Sequence, residues 1–257
     1  MIEKIIIVSH THWDREWYQP FQEYRLRLVK TLDKLLNILQ KDPEFKHFLL
    51  DGQVIPIEDY LEFRPDKKEL FLKYIKEGRI SIGPWYIQPD EWLSFPEALI
   101  RNLIFGEKMA KELGLRVMKV GYTPDSFGHT AQIPQIFKGF NIDSFIFMRG
   151  LGDEELGSEF LWEAPDGSRV FSCWLSSSYS NGVFLGSFIG DPSYFYLNIY
   201  PSKTIIWKSG FFPFTQYYTL YDEEPEVSEE RAVKHLEEII KLTKNRSKCL
   251  LVLNGAD

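Results

Sequence analysis

The sequence predicts an α/β fold in which parallel strands are covered by helices. Two observations predict it: buried strands alternate with amphipathic helices, and glycines follow the helices. Lys4–Ser9 is an apolar run rich in β-branched residues, and Glu23–Leu39 has leucines along one helical stripe. Gly78, Gly114 and Gly139 stand where later helices should end. This alternation is typical of parallel sheets, either closed into a barrel or doubly wound.

The same alternation continues as far as residue 148. It places each further strand except the last directly before a helix, as expected for repeated βα units. The predicted strands are His47–Leu50, Arg79–Pro84, Lys119–Tyr122 and Ser144–Met148, and the predicted helices are Ile57–Glu77, Pro96–Leu113 and Ile133–Phe140.

The pattern changes after residue 159. Two β-rich runs flank a Pro-Asp-Gly sequence at 165–167, which predicts a β-hairpin. Gly182–Asp222 is dense in Phe, Tyr, Pro and Ser without a period, and we interpret it as a long connection that forms a wall of the site. Ser228–Lys244 predicts a helix, and Cys249–Leu253 predicts a last buried strand.

Composition and charge exclude several classes of protein. The 257 residues suit one domain of α/β-barrel size. The formal charge of −7 and the pI near 5.4 would repel nucleic acid. The opening apolar run Ile5–Val8 is too short for a signal peptide, and no span of about 18 apolar residues occurs, so we expect a cytoplasmic protein without a membrane partner. Cys173 and Cys249 lack metal-site spacing, and we expect both thiols to be buried.

Ionisable side chains follow three predicted strands, at the edge where α/β barrels place their reactive groups. His10, His12 and Asp14 follow the first strand, Asp125 follows a later one, and Asp257 follows the last. His10-x-His12 and His12-x-Asp14 are both candidate zinc pairs, because residues two apart in an extended chain face the same way. Asp125 would supply a third ligand. Alternatively, the histidines are hydrogen-bonded core residues and Asp14 pairs with the adjacent arginine or caps the next turn.

Three sequence blocks resemble one enzyme family. His10–Tyr18 reads HTHWDREWY, Gly121–His129 reads GYTPDSFGH, and Gly83–Glu91 reads GPWYIQPDE. The first two resemble the signature blocks of class II α-mannosidases, glycoside hydrolase family 38, particularly its bacterial branch. The third resembles the stretch between those blocks in the same family. The resemblance covers Ile5–Asp257 in family order, which is nearly the whole chain.

The resemblance implies a distorted seven-stranded (β/α)7 barrel and a zinc-dependent retaining α-mannosidase. One Zn²⁺ would be held by His12, Asp14 and Asp125, which removes His10 from the ligand set. Asp125 would also be the nucleophile that forms a covalent mannosyl-enzyme, and the substrate would be a mannose-containing oligosaccharide or mannoside. A retaining glycosidase also needs a separate acid/base carboxyl. Leu250–Asp257 resembles the family's apolar strand that ends in Gly-x-Asp, and this resemblance implies that Asp257 has that role.

Further residues match positions that contact the sugar in the family. Trp17 and Phe127 match aromatic side chains that pack against the mannose ring, and Arg149 matches an arginine near the substrate hydroxyls. Each has a structural alternative, as a core aromatic or a salt-bridge partner. Asp90 and Glu91 form a carboxylate pair that we expect to serve the scaffold.

The chain departs from the family pattern in one ligand. Family members have a fourth zinc ligand, a His in a downstream His-Asp stretch, and no His follows His235 here. We therefore expect residues 1–257 to form the catalytic domain without the family's downstream helical and β-sandwich domains, and to be weakly active alone. The alternatives are a mannosylglycerate hydrolase of the same family, a non-catalytic sugar-binding module, and a metal-dependent deacetylase that uses His10 in place of Asp14.

Overall fold

A computed structural model describes residues 2–17, 19–152, 156–175, 178–183, 185–186, 227–243 and 247–255. Within these ranges the chain forms eight strands and six α-helices, in alternation over most of its length. The strands are β1 (Lys4–Thr11), β2 (Phe48–Leu50), β3 (Ile80–Ser81), β4 (Gly121–Thr123), β5 (Ser144–Phe147), β6 (Glu159–Glu163), β7 (Arg169–Trp174) and β8 (Cys249–Asn254). The helices are α1 (Phe21–Lys41), α2 (Ile55–Phe63), α3 (Lys68–Lys76), α4 (Pro96–Glu112), α5 (Ile133–Gly139) and α6 (Glu229–Leu242).

The strands form two four-stranded sheets. The first sheet has the order β3-β2-β1-β8 and is parallel throughout. The second has the order β4-β5-β7-β6, in which only β6 runs antiparallel to its neighbour. The predicted α/β class is confirmed. Because the described strands pair as two sheets rather than one closed ring, the seven-stranded barrel stays a prediction.

Trp85 and Tyr122 join the two sheets. The buried Trp85 indole donates a hydrogen bond of 3.0 Å to the carbonyl oxygen of Tyr122 in β4. The Tyr122 ring is also buried, which raises the pKa of its hydroxyl well above the ordinary value. A Cβ at Gly52, just after β2, would lie 2.6 Å from that ring, so only glycine allows this contact. Tyr122 belongs to a cluster with side chains from both sheets: Leu49, Leu175 and Leu253.

The prediction of one helix over Ile57–Glu77 is wrong. The chain forms α2 and α3 there, separated by a short 3-10 turn at Pro65–Lys67. Proline lacks the N–H that a helix needs and disfavours the helical conformation of the residue before it. Arg64 accordingly leaves the helical region, with φ −122° and ψ 58°.

The later elements follow the predicted order. The hairpin is confirmed, because β6 and β7 pair antiparallel around Gly167, whose φ of 85° favours glycine. The α6 helix begins one residue after Ser228, whose side chain accepts a hydrogen bond from the backbone N–H of Arg231. Of the predicted connection Gly182–Asp222, residues 184 and 187–222 lie outside the described residues.

The two thiols differ in exposure. Cys173 is partly buried, and burial raises the pKa of its thiol to about 12. Cys249 is exposed at the start of β8, so the prediction that both thiols are buried is wrong for Cys249. A strand that is apolar overall still exposes alternate residues at its first positions. Among the described helices, none combines the length and apolar character needed to cross a bilayer.

Candidate active site

The first sheet delivers His12 and Asp14 to one edge. Both follow β1, which ends at Thr11. His12 is buried, whereas the Asp14 side chain is 39% exposed. His12 Nε2 lies 3.6 Å from Asp14 Oδ1 and 4.0 Å from Asp125 Oδ2. Asp125 follows β4 in the second sheet. The three predicted metal ligands therefore converge from both sheets.

Asp51 fixes the orientation of the His12 ring. It follows β2, and its side chain is completely buried. Its carboxylate lies 3.1 Å from His12 Nδ1 and accepts hydrogen bonds of 2.8 Å from the Trp13 N–H and 2.7 Å from the Gln53 side chain. An ionised carboxylate only accepts, so Nδ1 carries the hydrogen and Nε2 is the nitrogen that faces Asp14 and Asp125.

The residues next to His12 and Asp14 contact the scaffold. The buried Trp13 ring packs 5.3 Å from the Tyr24 ring in the core of the first sheet. Arg15 makes two hydrogen bonds of 2.8 Å to Asp59 in α2. This geometry contradicts the alternative that Asp14 pairs with Arg15, and it ties the chain after β1 to a helix.

Asp125 is held by Arg149. The arginine follows β5, and its Nε donates a hydrogen bond of 2.6 Å to Asp125 Oδ1, with Nη2 at 2.5 Å from the same oxygen. The guanidinium carbon also lies 4.4 Å from the centre of the Phe127 ring. The two oxygens of Asp125 are thereby distinguished: Oδ1 faces the cation of Arg149, and Oδ2 faces the imidazole of His12.

His10 lies beside the ligands without joining them. Its side chain is buried, burial lowers its pKa, and neither ring nitrogen makes a hydrogen bond within the described residues. Its carbonyl oxygen would lie 1.9 Å from a Cβ at Gly255, so β8 approaches β1 closely here.

His12, Asp14 and Asp125 fit zinc in chemistry more closely than in geometry. One imidazole and two carboxylates are ordinary zinc donors, and the Asp51–His12 pair resembles the carboxylate that orients a ligating histidine. Ligand atoms of a tetrahedral site lie roughly 3.3 Å apart. Both separations from His12 Nε2 exceed this value, and no group of three such side chains among the described residues is assembled to hold a metal as it stands. The three residues therefore offer suitable donor atoms for zinc, at separations from His12 Nε2 somewhat longer than in a closed site.

A family model matches almost the entire chain. The model describes the glycosyl hydrolases family 38 N-terminal domain and matches residues 3–257. The chain belongs to this family. The resemblance carried by the three sequence blocks is therefore confirmed.

Individual relatives agree with this assignment. A Halalkalibacterium halodurans protein, provisionally named a mannosylglycerate hydrolase, is 43% identical over 188 residues, which are 68% of this chain and 21% of that protein. The α-mannosidase of Saccharomyces cerevisiae is 27% identical over 64% of this chain and 16% of its own length. The solved structure of an Enterococcus faecalis V583 α-mannosidase superposes with a TM-score of 0.78 and 32% identity, over 99% of this chain and 25% of that chain. This family 38 chain thus spans about a quarter or less of these relatives.

The remaining predicted site residues are distributed around the edge. Trp17 and Phe127 are 61% and 67% exposed, so both rings are accessible to a ligand and neither belongs to the core. Arg149 is a salt-bridge partner, as the structural alternative holds, but its partner is the predicted nucleophile Asp125. Asp257, the predicted acid/base, lies outside the described residues.

Two features of the site escaped the sequence analysis. Asp51 follows a predicted strand just as His12 does, and that position was the available signal. Glu91 and His129 form a buried pair, with 2.8 Å between the Glu91 carboxylate and His129 Nδ1. No spacing predicts this pair, because its members come from distant loops.

Proposed function

We propose that this chain carries the catalytic part of a retaining α-mannosidase in which Asp125 forms a covalent mannosyl-enzyme. The observation that carries this proposal is the environment of Asp125. Arg149 fixes one of its oxygens from behind, and the other is directed toward His12 at the edge where the two sheets meet. A carboxylate held in one orientation at an accessible strand end suits nucleophilic attack on an anomeric carbon.

The reaction assigns separate roles to two carboxyls. Asp125 attacks the anomeric carbon and displaces the leaving group, and an acid about 5 Å away protonates the departing oxygen. Water then attacks the mannosyl-enzyme, the same acid acts as a base, and the anomeric configuration is retained. We assign the acid/base to Asp257. The pairing of Ser9 with Asn254 supports this assignment, because it directs the end of β8 toward the residues that follow β1.

The proposed cofactor is one Zn²⁺, held by His12, Asp14 and Asp125. When bound, zinc would supply a Lewis acid that contacts sugar hydroxyls and spreads positive charge away from the anomeric centre. Asp51 supports this assignment because it keeps the hydrogen of His12 on Nδ1. The exposed rings of Trp17 and Phe127 offer flat apolar surfaces for a pyranose, and Arg149 would reach its hydroxyls.

We further propose that residues 1–257 form one catalytic domain with the distorted seven-stranded (β/α)7 barrel of the family. The cluster around Leu49, Tyr122 and Leu253 supports it, since side chains of both sheets share an interior there. The hydrogen bond from Trp85 to β4 also supports the barrel, because it links the segment after β3 to β4, two strands that are not paired in the described sheets.

Mannosylglycerate is a second candidate substrate because of the 43% identity to the Halalkalibacterium halodurans protein. The two substrates share the mannosyl group and differ in the leaving group. Competing hydrolysis of mannosylglycerate and of mannobiosides by the same preparation would separate them. A ratio of kcat/KM values strongly above one for mannosylglycerate would assign the chain to that activity.

Chemical trapping tests the proposed function. The zinc-loaded chain should be incubated with an activated fluorinated mannosyl donor, whose intermediate hydrolyses slowly, and then digested for mass spectrometry. We expect one mannosyl adduct on Asp125, none in Asp125→Asn, and an unchanged adduct in the control Asp33→Asn. An adduct on a different carboxylate, or none in a folded zinc-loaded chain, would contradict a covalent mechanism through Asp125.

A further inference from the structure

His129 and Glu91 form a buried polar pair behind the candidate site. Their side chains are 2% and 0% exposed, and His129 Nδ1 lies 2.8 Å from Glu91 Oε1. The other carboxylate oxygen accepts a hydrogen bond of 2.8 Å from the backbone N–H of Thr130. Three aromatic rings stand nearly perpendicular to the imidazole, with centroids 4.9 to 5.9 Å away: Phe145, Phe147 and Trp162.

The partners of His129 determine where its hydrogens lie. Its Nε2 is 3.1 Å from the backbone carbonyl oxygen of Arg149, and a carbonyl only accepts, so Nε2 carries a hydrogen. His129 Nδ1 is 2.8 Å from a carboxylate oxygen of Glu91, so the second ring nitrogen is hydrogen-bonded as well. Both ring nitrogens of His129 therefore have a partner inside the fold. Burying such polar groups is costly unless they are hydrogen-bonded, as they are here.

The carbonyl oxygen that accepts the hydrogen bond from His129 belongs to Arg149, whose side chain donates to Asp125. Arg149 follows β5, where the preceding carbonyl of Met148 accepts a hydrogen bond of 2.7 Å from the Trp174 indole. Gly150 packs against Gly128, because a Cβ at Gly150 would lie only 3.1 Å from the Gly128 Cα. These contacts hold the residues on either side of Arg149, while the carbonyl of Arg149 itself is held by His129.

We propose that His129 is a positioning residue for the reaction. Through its Nε2–H it fixes the backbone of Arg149, and Arg149 then decides which oxygen of Asp125 is turned toward His12. Glu91 keeps the imidazole in the ring orientation that this requires. The inference rests on the proposed function for its effect on turnover, but its geometric part stands independently.

Two amide variants separate the contacts of His129. The amide of Asn has the reach of Nδ1, so His129→Asn can still donate to Glu91 but cannot reach the carbonyl of Arg149. Gln has the reach of Nε2, so His129→Gln can still donate to that carbonyl. Both variants remove the aromatic ring from the same cavity, so the two variants lose similar packing. Equal thermal unfolding of the two variants is the control for folding.

The first readout is independent of activity. In ¹H–¹⁵N spectra of the whole chain we expect an Nε2–H signal for His129 and a downfield Arg149 Nε–H signal, assigned by its loss in Arg149→Lys. The Arg149 signal should disappear in His129→Asn and persist in His129→Gln. The same Arg149 signal in both variants, or the absence of an Nε2–H on His129 in the wild-type chain, would overturn the proposal.

The second readout is turnover of an aryl α-mannoside by the zinc-loaded chain. We expect kcat to fall about 10- to 100-fold in His129→Asn, as for other residues that orient a reacting group, with KM little changed and most of kcat restored in His129→Gln. Equal kcat losses in the two variants would reduce His129 to a packing residue and overturn the proposal. Absent turnover in the wild type counts against the proposed function alone, because the Arg149 signal still reports whether His129 positions it.

Glu91→Gln tests the role of charge. Gln can accept from the Thr130 N–H through its oxygen and donate to His129 Nδ1 through its nitrogen, leaving Nε2–H on the Arg149 carbonyl. We expect this variant to keep both the Arg149 signal and the Nε2–H signal of His129. Loss of the Arg149 signal in folded Glu91→Gln would show that charge, not the Nε2–H bond, holds Arg149, and would overturn the proposal.

Discussion

The Asp51 carboxylate accepts hydrogen bonds and donates none, and this decides which ring nitrogen of His12 faces the site. In Asp51→Asn the new amide group would donate to His12 Nδ1, so the ring hydrogen would move to Nε2. That hydrogen must be lost before Nε2 can bind a metal. We expect zinc affinity to fall about 10- to 100-fold with the fold retained. Competition titration against a zinc-binding dye measures it.

Asp33→Asn is the matched control, because it makes the same chemical change in α1, where Asp33 pairs with Arg64 rather than with the site. It should leave zinc affinity unchanged. Zinc binding of equal strength in Asp51→Asn and the wild type would show that Asp51 does not orient a ligand.

At the scale of single residues, sequence spacing predicted His12, Asp14 and His10 as interchangeable candidates, and the family resemblance chose between them. In the structure His12 Nε2 lies 3.6 Å from Asp14 and 4.0 Å from Asp125, and His10 is buried. The ligand set stays a prediction. The ionisable residue after a strand is readable from sequence because strand ends share an edge. The Glu91–His129 pair is not readable, since two loops must first fold against each other.

Helix α4 packs so closely on the backbone of residues 84–86 that Gly106 has no room for a side chain. A Cβ at Gly106 would lie 2.4 Å from the carbonyl oxygen of Pro84 and 2.8 Å from backbone atoms of Trp85 and Tyr86. Backbone cannot swing aside as a side chain can, so Gly106→Ala should lower the free energy of unfolding by about 1–3 kcal/mol. Urea denaturation at fixed zinc concentration measures this change.

Gly139→Ala provides the comparison. Gly139 is also a helical glycine, the last residue of α5, but a Cβ there would meet no heavy atom within 4 Å. The substitution should be neutral or slightly stabilising. If Gly106→Ala were equally harmless, the close packing of α4 on Pro84–Tyr86 would be wrong.

At the scale of elements, the sequence predicted order well and boundaries less well. The hairpin followed from its Pro-Asp-Gly turn, which has a local cause. The break at Pro65 was also local and should have been predicted, because proline interrupts helices wherever it falls. The short extent of β3, only Ile80–Ser81, has a local cause as well. Gly83 lies two residues beyond it with φ 67°, a left-handed conformation that an extended strand does not adopt.

At the scale of the whole molecule, the described pairings form two sheets, and the candidate metal ligands divide between them. His12 and Asp14 follow β1 of the first sheet, whereas Asp125 follows β4 of the second. Alternation along the chain predicted the α/β class but could not choose between a barrel and an open sheet, because closure depends on contacts between strands distant in sequence. A metal shared across the two sheets would therefore stabilise their association.

The two thiols can report this association, because Cys173 lies in β7 of the second sheet and Cys249 in β8 of the first. Burial raises the pKa of Cys173 to about 12, so alkylation requires local opening, whereas Cys249 is exposed. Zinc at 100 times its dissociation constant stabilises the bound state by about 2.7 kcal/mol. If opening separates Asp125 from His12, iodoacetamide should then modify Cys173 up to roughly 100-fold more slowly.

The rate at Cys249 is the internal reference and should not change. Asp125→Asn should abolish the protection, and equal protection in that variant would show that zinc does not join the sheets through Asp125.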